Sequence, residues 1–135
     1  MDFANTKPRV TSFDIDYIDG TKTGIKVSLR HKSDPVIKDF DSRTFKEHVT
    51  LRDEGGTQEQ ISALYKDQAA ERRFISIESW KWPKDATFKG ETPELTLDFV
   101  SKVCGELDWF CSQIDRHLGN EVAFHPKLES VFAKP

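Results

Sequence analysis

Hydrophobic and polar residues alternate between positions 10 and 30, and this period of two constrains the fold more than any other feature of the chain. Successive side chains of a β-strand point to opposite faces, so the pattern predicts two strands that each present one apolar face. The turn-forming stretch IDGTKTG lies between them, which predicts a β-hairpin over residues 11–30. The alternating apolar residues are Phe13, Ile15, Tyr17, Ile25, Val27 and Leu29. Because an isolated two-stranded hairpin is only marginally stable in water, the apolar face must pack against helices or a neighbouring subunit.

After the hairpin the hydrophobic period changes to that of a helix. Asp34 suits the N-cap and Pro35 the first helical position, so a helix is predicted over residues 35–51, where RDEGG ends it. Thr57, with a glutamine three residues later, forms a capping box that predicts a second helix over residues 57–79. The apolar positions of the first helix are Val36, Ile37, Phe40, Phe45 and Val49, and the expected core-facing positions of the second are Ile61, Leu64, Tyr65, Ala69 and Ile75.

The most regular segment is a helix predicted over residues 97–118, with Thr96 as its N-cap and Gly119 as its C-cap. Its apolar residues are spaced alternately three and four apart, the a/d seam of a coiled coil. The seam residues are Leu97, Val100, Cys104, Leu107, Cys111, Ile114 and Leu118. Gly105 lowers helix propensity inside this segment, so any break in the helix is expected there. On a continuous helix, Trp109 would lie opposite the seam.

These segments predict one domain over residues 1–135 with a mainly helical α+β fold. The hairpin, residues 11–30, precedes a helical body of three or four helices over residues 35–118. Residues 119–135 form a C-terminal tail. Period switching along the chain supports this order of elements.

Composition and charge narrow the classes of partner. The net charge is −3, and basic residues are interspersed with acidic ones, so the basic stripe that nucleic-acid binding needs is missing. No apolar run approaches the ~20 residues of a membrane span, and the N-terminus lacks the apolar segment of a signal peptide. The sequence therefore predicts a cytosolic protein without nucleic-acid or membrane partners. Only 36% of the residues are hydrophobic, which makes a small core and favours self-association.

The sequence predicts no catalytic, cofactor or metal site. Cys104 and Cys111 are seven residues apart in one helical pattern, about 10 Å along a helix, so they are interpreted as reduced core residues without a disulfide. No histidine pair has the spacing of a metal site, and surface or boundary positions are expected for all of them. The histidines are His31, His48, His117 and His125. The carboxylates form no recognisable acid/base couple, so an enzyme is the least expected class.

Aromatic residues are the remaining functional signal. Trp80 and Trp82 flank a lysine at strand-like spacing, which is compatible with a core plug or with a docking surface. We expect Trp80 to be mostly buried, closing the end of the second helix against the last helix, and Trp82 to be the more exposed. The residues proposed to contact protein partners are Trp82, Phe88, Trp109, Phe110, Phe13 and Tyr17.

The segment from ERRFISIESW to GNEVAF resembles a known pattern: a helix ending in an apolar stretch and Trp, a loop with Gly and an aromatic residue, then a helical segment with a QI…N…F-like ending. The matching positions are Ile77, Trp80, Phe88, Gly90, Pro93, Leu95, Thr96, Val100, Gln113, Ile114, Asn120 and Phe124. With the preceding hairpin, the resemblance covers residues 12–124. On these positions the chain resembles the tail assembly chaperones of long-tailed bacteriophages of the lambdoid siphophage type.

The resemblance implies a non-enzymatic morphogenesis factor that is mostly helical and self-associating. Such a chaperone coats the long, helical tape measure protein and recruits tail tube subunits in the host cytoplasm. It is absent from the finished virion. The alternative class is a structural head–tail joining or tail-completion protein that stays in the particle.

Self-association is expected from the lean core, from the exposed strand edges of the hairpin and from the outward position of Trp109. Since a chaperone must coat an elongated client, the resemblance favours a ring or helical stack over a closed dimer. We expect the contact to include the hairpin or the 97–118 helix.

Overall fold

The computed structural model describes residues 2–132, so the last three residues of the predicted tail lie outside the described residues. The fold consists of an N-terminal antiparallel hairpin, four longer helices and a third strand, which confirms the predicted α+β class. In chain order the strands and helices are β1 (Thr11–Asp16), β2 (Lys22–Leu29), α1 (Pro35–Asp53), α2 (Gln58–Ser76), β3 (Ile77–Lys81), α3 (Leu97–Glu106), α4 (Asp108–Leu118) and α5 (Leu128–Phe132). Two short 3₁₀ helices, Phe3–Thr6 and Glu121–Phe124, lie near the ends.

The sheet has the order β1-β2-β3, and both pairings are antiparallel. The predicted alternation is seen directly: Ile15, Val27 and Leu29 are fully buried on one face, while their neighbours point outward. The third strand is a correction, because the helix expected over residues 57–79 ends at Ser76. From Ile77 the backbone instead pairs with the free edge of β2, which satisfies its hydrogen-bonding groups.

Helices α1 and α2 begin as their caps predict. The Asp34 carboxylate accepts a hydrogen bond from the backbone N–H of Val36 at 2.9 Å, and Pro35 is the first helical residue. Thr57 and Gln60 form both bonds of the capping box, at 2.8 and 3.2 Å. The two helices pack against each other, and we call them the helix pair. Only α2 of the two also makes extensive contact with the rest of the fold, through α3 and β3.

The predicted 97–118 helix is broken, and the break lies at Leu107 rather than at Gly105. Leu107 adopts a non-helical conformation with φ −116° and ψ 86°, while Gly105 stays helical inside α3. The break changes the phase of α4 relative to α3. As a result Phe110, which was not a seam position, is fully buried, whereas Leu107 and Cys111 of the expected seam are half-buried.

The two cysteines lie on either side of this break, Cys104 in α3 and Cys111 in α4. Both are free cysteines. Burial raises the pKa of the Cys104 thiol to about 12 and also raises the pKa of Cys111. Both side chains therefore stay protonated at neutral pH and are poor nucleophiles.

One hydrophobic cluster joins the inner face of the sheet to α3, α4 and the second 3₁₀ helix, and we call β1, β2, β3, α3 and α4 the sheet core. The buried cluster consists of Phe13, Ile15, Ile25, Val27, Leu29, Ile77, Phe99, Val100, Val103, Cys104, Phe110, Ile114 and Phe124. A two-bond ion pair between Arg73 and Asp115, at 2.9 and 3.0 Å, ties α2 to α4. Within residues 2–132, no helix is both long and apolar enough to cross a membrane.

Candidate functional site

Two of the six sequence-predicted contact residues lie in the core, so these two predictions are wrong. Phe110 is 0% exposed, because the break at Leu107 turns it toward the sheet. Phe13 is 8% exposed and stacks on the His117 ring, with 3.7 Å between ring centroids and 15° between ring planes. Neither side chain presents a surface to a partner.

Tyr17 and Trp109 contact each other at the end of β1. Their ring centroids are 5.2 Å apart and the rings meet edge to face. Trp109 is half-buried against the hydrophobic cluster, so it does not face away from the core as a continuous helix predicted. Tyr17 is 47% exposed. A partner-contacting role for this pair stays a prediction.

Trp80, Trp82 and Phe88 form a second aromatic group after the third strand. Both indole rings are half-buried and pack on the hydrophobic cluster, so Trp80 is not fully buried and Trp82 is not exposed. Trp82 stacks on Phe110 at 5.8 Å between centroids. Phe88 is also half-buried and meets Phe99 edge to face. These side chains mainly complete the core, although parts of them remain accessible.

Three of the four large apolar side chains that are exposed on α1 and α2 lie in a groove of about 420 Å³ along one side of the helix pair, the helix-pair groove. Phe45 is 69% exposed, Tyr65 is 51% and Val49 is 40%. The groove is lined by Phe40, Asp41, Thr44, Phe45, His48, Val49, Arg52, Tyr65, Gln68, Ala69 and Arg72. Exposed apolar surface between two packed helices is typical of a binding groove for another protein segment.

The helical period explains why these residues share one groove. On α1 the stripe is Phe45, His48, Val49 and Arg52, and on α2 it is Tyr65, Gln68, Ala69 and Arg72. Each stripe follows the spacing i, i+3, i+4, i+7 that places side chains on one helix face. Sequence reasoning detected this face but assigned Tyr65 and Ala69 to the core, because periodicity does not reveal what covers a face.

Buried polar contacts fix the groove floor and rim. Gln68 is buried and donates a hydrogen bond to the Glu47 carboxylate at 2.8 Å. The Arg72 guanidinium pairs with Asp41 through two bonds, at 2.9 and 3.2 Å, which links the two helices across the groove. The Asp41 carboxylate is therefore committed to a structural pair and is a poor general base.

The remaining charge in the groove is positive. Among residues 2–132 no ion pair involves the Arg52 guanidinium, although it lines the groove. His48 stacks on Tyr65 with 3.8 Å between ring centroids, and its Nδ1 atom is buried without a described hydrogen-bond partner. A ligand with apolar groups and a nearby acidic group would complement this surface.

A second group of polar residues forms where the end of β2 lies beside the second 3₁₀ helix. It consists of His31, Glu121 and His125. The Glu121 Oε1 atom is 2.6 Å from His31 Nε2 and 2.9 Å from His125 Nε2. One ligand atom from each residue lies within 4.8 Å of the others, so the group could hold a metal ion. Sequence reasoning missed this cluster because His31 is 90 residues from Glu121. The spacing of Glu121 and His125 was the only local signal.

Hydrogen bonds within this cluster favour the charged forms of Glu121 and His125. The hydrogen bond from His125 is the main cause of a lowered pKa for the Glu121 carboxyl, and the same bond raises the pKa of His125. His31 is buried against Phe124, whose ring lies edge-on at 5.2 Å. The cluster therefore joins the end of β2 to the second 3₁₀ helix.

No protein-family model matches the chain, and no match was found among curated proteins or among solved structures. The function must therefore be inferred from the helix-pair groove, the polar cluster and the resemblance in sequence pattern.

Proposed function

We propose that this protein is a non-enzymatic tail assembly chaperone of a long-tailed bacteriophage. In this proposal the helix-pair groove holds apolar helical segments of the tape measure protein until the tail is built. The observation that carries the proposal is the row of exposed Phe45, Val49 and Tyr65 on a packed pair of helices. The sequence resemblance supplies the identity of the client.

A helical client suits the shape of the groove. The two helices are 19 residues each, and a third helix laid between them would bury its apolar face as helices do in a bundle. Phe45 and Tyr65, from opposite walls, would serve as the aromatic anchors. Because the aromatic side chains are already exposed in the free chain, binding needs no unfolding of the protein.

Charge defines the client segment further. Arg52 has no ion pair within the described residues, so we expect an acidic residue beside the apolar stripe of the client helix. The preferred segment is thus an amphipathic helix with Leu, Ile or Phe at i, i+3, i+4 and i+7 and a flanking Asp or Glu.

Tail tube subunits are the second partner in this proposal, and they would bind away from the groove. The accessible parts of Trp82, Phe88, Trp109 and Tyr17 form the candidate contact. The protein would act in the host cytoplasm and would be absent from the finished virion.

We also propose that the chaperone self-associates. β1 and β3 are the two edge strands of the sheet, and an edge strand with unpaired backbone groups invites pairing with another copy. A head-to-tail contact of this kind would build a ring or a helical stack along the client. Sedimentation at tens of micromolar tests it, since a strictly monomeric species contradicts the coating arrangement.

Co-expression with the tape measure protein of the same phage tests the central function. The wild-type chain should keep the tape measure protein soluble and co-purify with it. The variants Phe45→Glu and Tyr65→Glu should each lose this effect while retaining the wild-type circular dichroism spectrum. The matched control is Ile18→Glu, which changes a residue that is 75% exposed but lies in the hairpin turn.

Two results would count against the proposal. If Ile18→Glu abolishes co-purification as strongly as Phe45→Glu does, the groove is not the client site. If mass spectrometry finds the chain at stoichiometric levels in purified virions, the structural head–tail joining or tail-completion function replaces the chaperone.

A further inference from the structure

We infer that His31, Glu121 and His125 form a binding site for a divalent transition-metal ion, with Zn²⁺ as the best fit. The three side chains come from the end of β2 and from the segment that follows α4, and their ligand atoms converge within 4.8 Å. Two imidazole nitrogens and one carboxylate oxygen are a common ligand set for zinc in proteins. The inference stands independently of the proposed chaperone function.

The distances need only a small adjustment to admit the ion. Glu121 Oε1 is 2.6 Å from His31 Nε2 and 2.9 Å from His125 Nε2. Zinc binds each such atom at about 2.0–2.2 Å, which sets tetrahedral ligand atoms about 3.3 Å apart. The opening required of these two pairs is below about 1 Å. Glu121 and His125 are free to make it, because their side chains are 51% and 37% exposed.

The outer ring nitrogens already have the partners that metal-binding histidines use. His125 Nδ1 lies 3.1 Å from the Thr6 carbonyl oxygen, so an Nδ1–H donates there and Nε2 is left to bind the ion. His31 Nδ1 lies 2.7 Å from the Ser33 hydroxyl oxygen. Such contacts orient the rings, and the His125 contact also fixes the tautomer that binding needs.

One proton must move on His31 for the ion to bind. In the metal-free arrangement the Ser33 backbone N–H donates to Nδ1 at 3.1 Å, so Nε2 carries the proton and donates it to Glu121. On binding, the Nε2 proton is lost to solvent and Nδ1 takes one up, which it donates to the Ser33 hydroxyl, so the Ser33 backbone N–H must turn away from Nδ1. Any proton held by His125 Nε2 is released when the ion binds.

The environment leaves a coordination position open. His31 is 8% exposed and is covered by Phe124, which fixes one side of the site. The exposed Glu121 and His125 leave the other side to solvent, where water would be the fourth ligand. Two imidazoles in a three-residue set select against Mg²⁺ and Ca²⁺, which prefer oxygen ligands only.

The bound ion would tie three segments together. Through His31 it holds the end of β2, through Glu121 the second 3₁₀ helix, and through the His125–Thr6 bond the first 3₁₀ helix. We therefore expect metal binding to stabilise the folded chain, since an ion that binds only the folded state adds its binding free energy to stability.

Titration of the untagged, EDTA-treated chain with ZnCl₂ tests the site, followed by calorimetry and by thermal unfolding. We expect one ion per chain and a rise in Tm on the order of 5–10 °C at a free metal concentration about 100 times the Kd. EDTA should reverse the rise. Co²⁺ should give the visible absorption bands of a tetrahedral site with nitrogen and oxygen ligands.

Two variants and one control decide the assignment. His125→Ala and Glu121→Gln change exposed side chains and should each weaken Zn²⁺ binding by about tenfold or more. His117→Phe removes a histidine outside the cluster and should leave the affinity unchanged. The inference is overturned if the wild-type chain binds no Zn²⁺ at about 100 μM, or if both cluster variants bind it as tightly as the wild type does.

Discussion

The sheet core buries its apolar residues, whereas the helix pair leaves several of its apolar residues exposed. In the sheet core, Ile15, Val27 and Phe110 are 0% exposed and belong to one continuous cluster. In the helix pair, Phe45 is 69% exposed and Tyr65 is 51%. Helices α1 and α2 are less strongly amphipathic than α3 and α4, and the two regions also differ in what each apolar face meets. The sheet is covered by α3 and α4, whereas no described element covers the helix-pair groove.

This contrast assigns different roles to similar side chains. A buried aromatic residue stabilises the fold because its side chain is removed from water. An exposed one gives this stabilisation only when a partner covers it. The sheet core therefore supplies stability, and the helix pair supplies a surface held open for a partner. Substitutions and pH changes should therefore affect the two regions differently.

Truncating one phenylalanine in each region tests the division directly. Phe110→Ala should lower the free energy of unfolding by about 3–5 kcal/mol, because it opens a cavity in the core. Phe45→Ala should change it by no more than about 0.5 kcal/mol. Urea unfolding followed by circular dichroism measures both. Equal losses from the two variants would mean that the helix pair is packed as tightly as the sheet core.

Alanine substitution of one glycine in each region compares the backbone constraints of the two regions. Gly24 in β2 has φ +79°, and a Cβ there would lie 2.8 Å from the Pro83 Cγ atom. Gly55, after α1, has φ +76° with open space around it. Gly55→Ala should cost about 1–2 kcal/mol from the left-handed conformation alone, and Gly24→Ala about 1–3 kcal/mol more from the added clash. The denaturant midpoints of both variants are compared with that of the wild type. Gly24→Ala should lower the midpoint more than Gly55→Ala does.

The smallest expected effect is a pH dependence in the sheet core at His117. Burial lowers the pKa of His117 from its usual value, and Arg116 lowers it further. The neutral ring is thus favoured in the folded state, so its stabilising contribution is present above the unfolded pKa of 6.5 and is lost as the pH falls through the lowered folded pKa. His117→Phe keeps the stacking on Phe13 and should reduce the loss of stability below pH 6.5. Urea midpoints from pH 7.5 to pH 5 measure it, and an unchanged slope would contradict the account.

Local signals in the sequence predicted the elements better than their surroundings. The period-two pattern and the caps at Asp34 and Thr57 placed the hairpin and the starts of α1 and α2 correctly, because these features act within a few residues. The third strand was missed because Ile77 to Lys81 is a strand only through pairing with β2, which is distant in sequence.

The site residues were harder to predict because their surroundings also depend on contacts between distant segments. Phe110 was misplaced because a break one turn earlier changed the phase of α4, and the break lies at Leu107, which has no sequence signal comparable to Gly105. Phe45 and Tyr65 have the same spacing that core residues have, so only the tertiary arrangement reveals their exposure. The meeting of His31 with Glu121 depends on the whole fold.

Hydrogen–deuterium exchange of the chain with and without a tape measure segment tests the central claim most directly. The account predicts slower exchange in Pro35–Asp53 and Gln58–Ser76 on client binding, with no change in β1 and β2. Slower exchange confined to residues 80–93 and to the start of α4, with the helix pair unaffected, would contradict it. That result would assign client binding to the aromatic residues around Trp82 and Trp109 instead of the helix-pair groove.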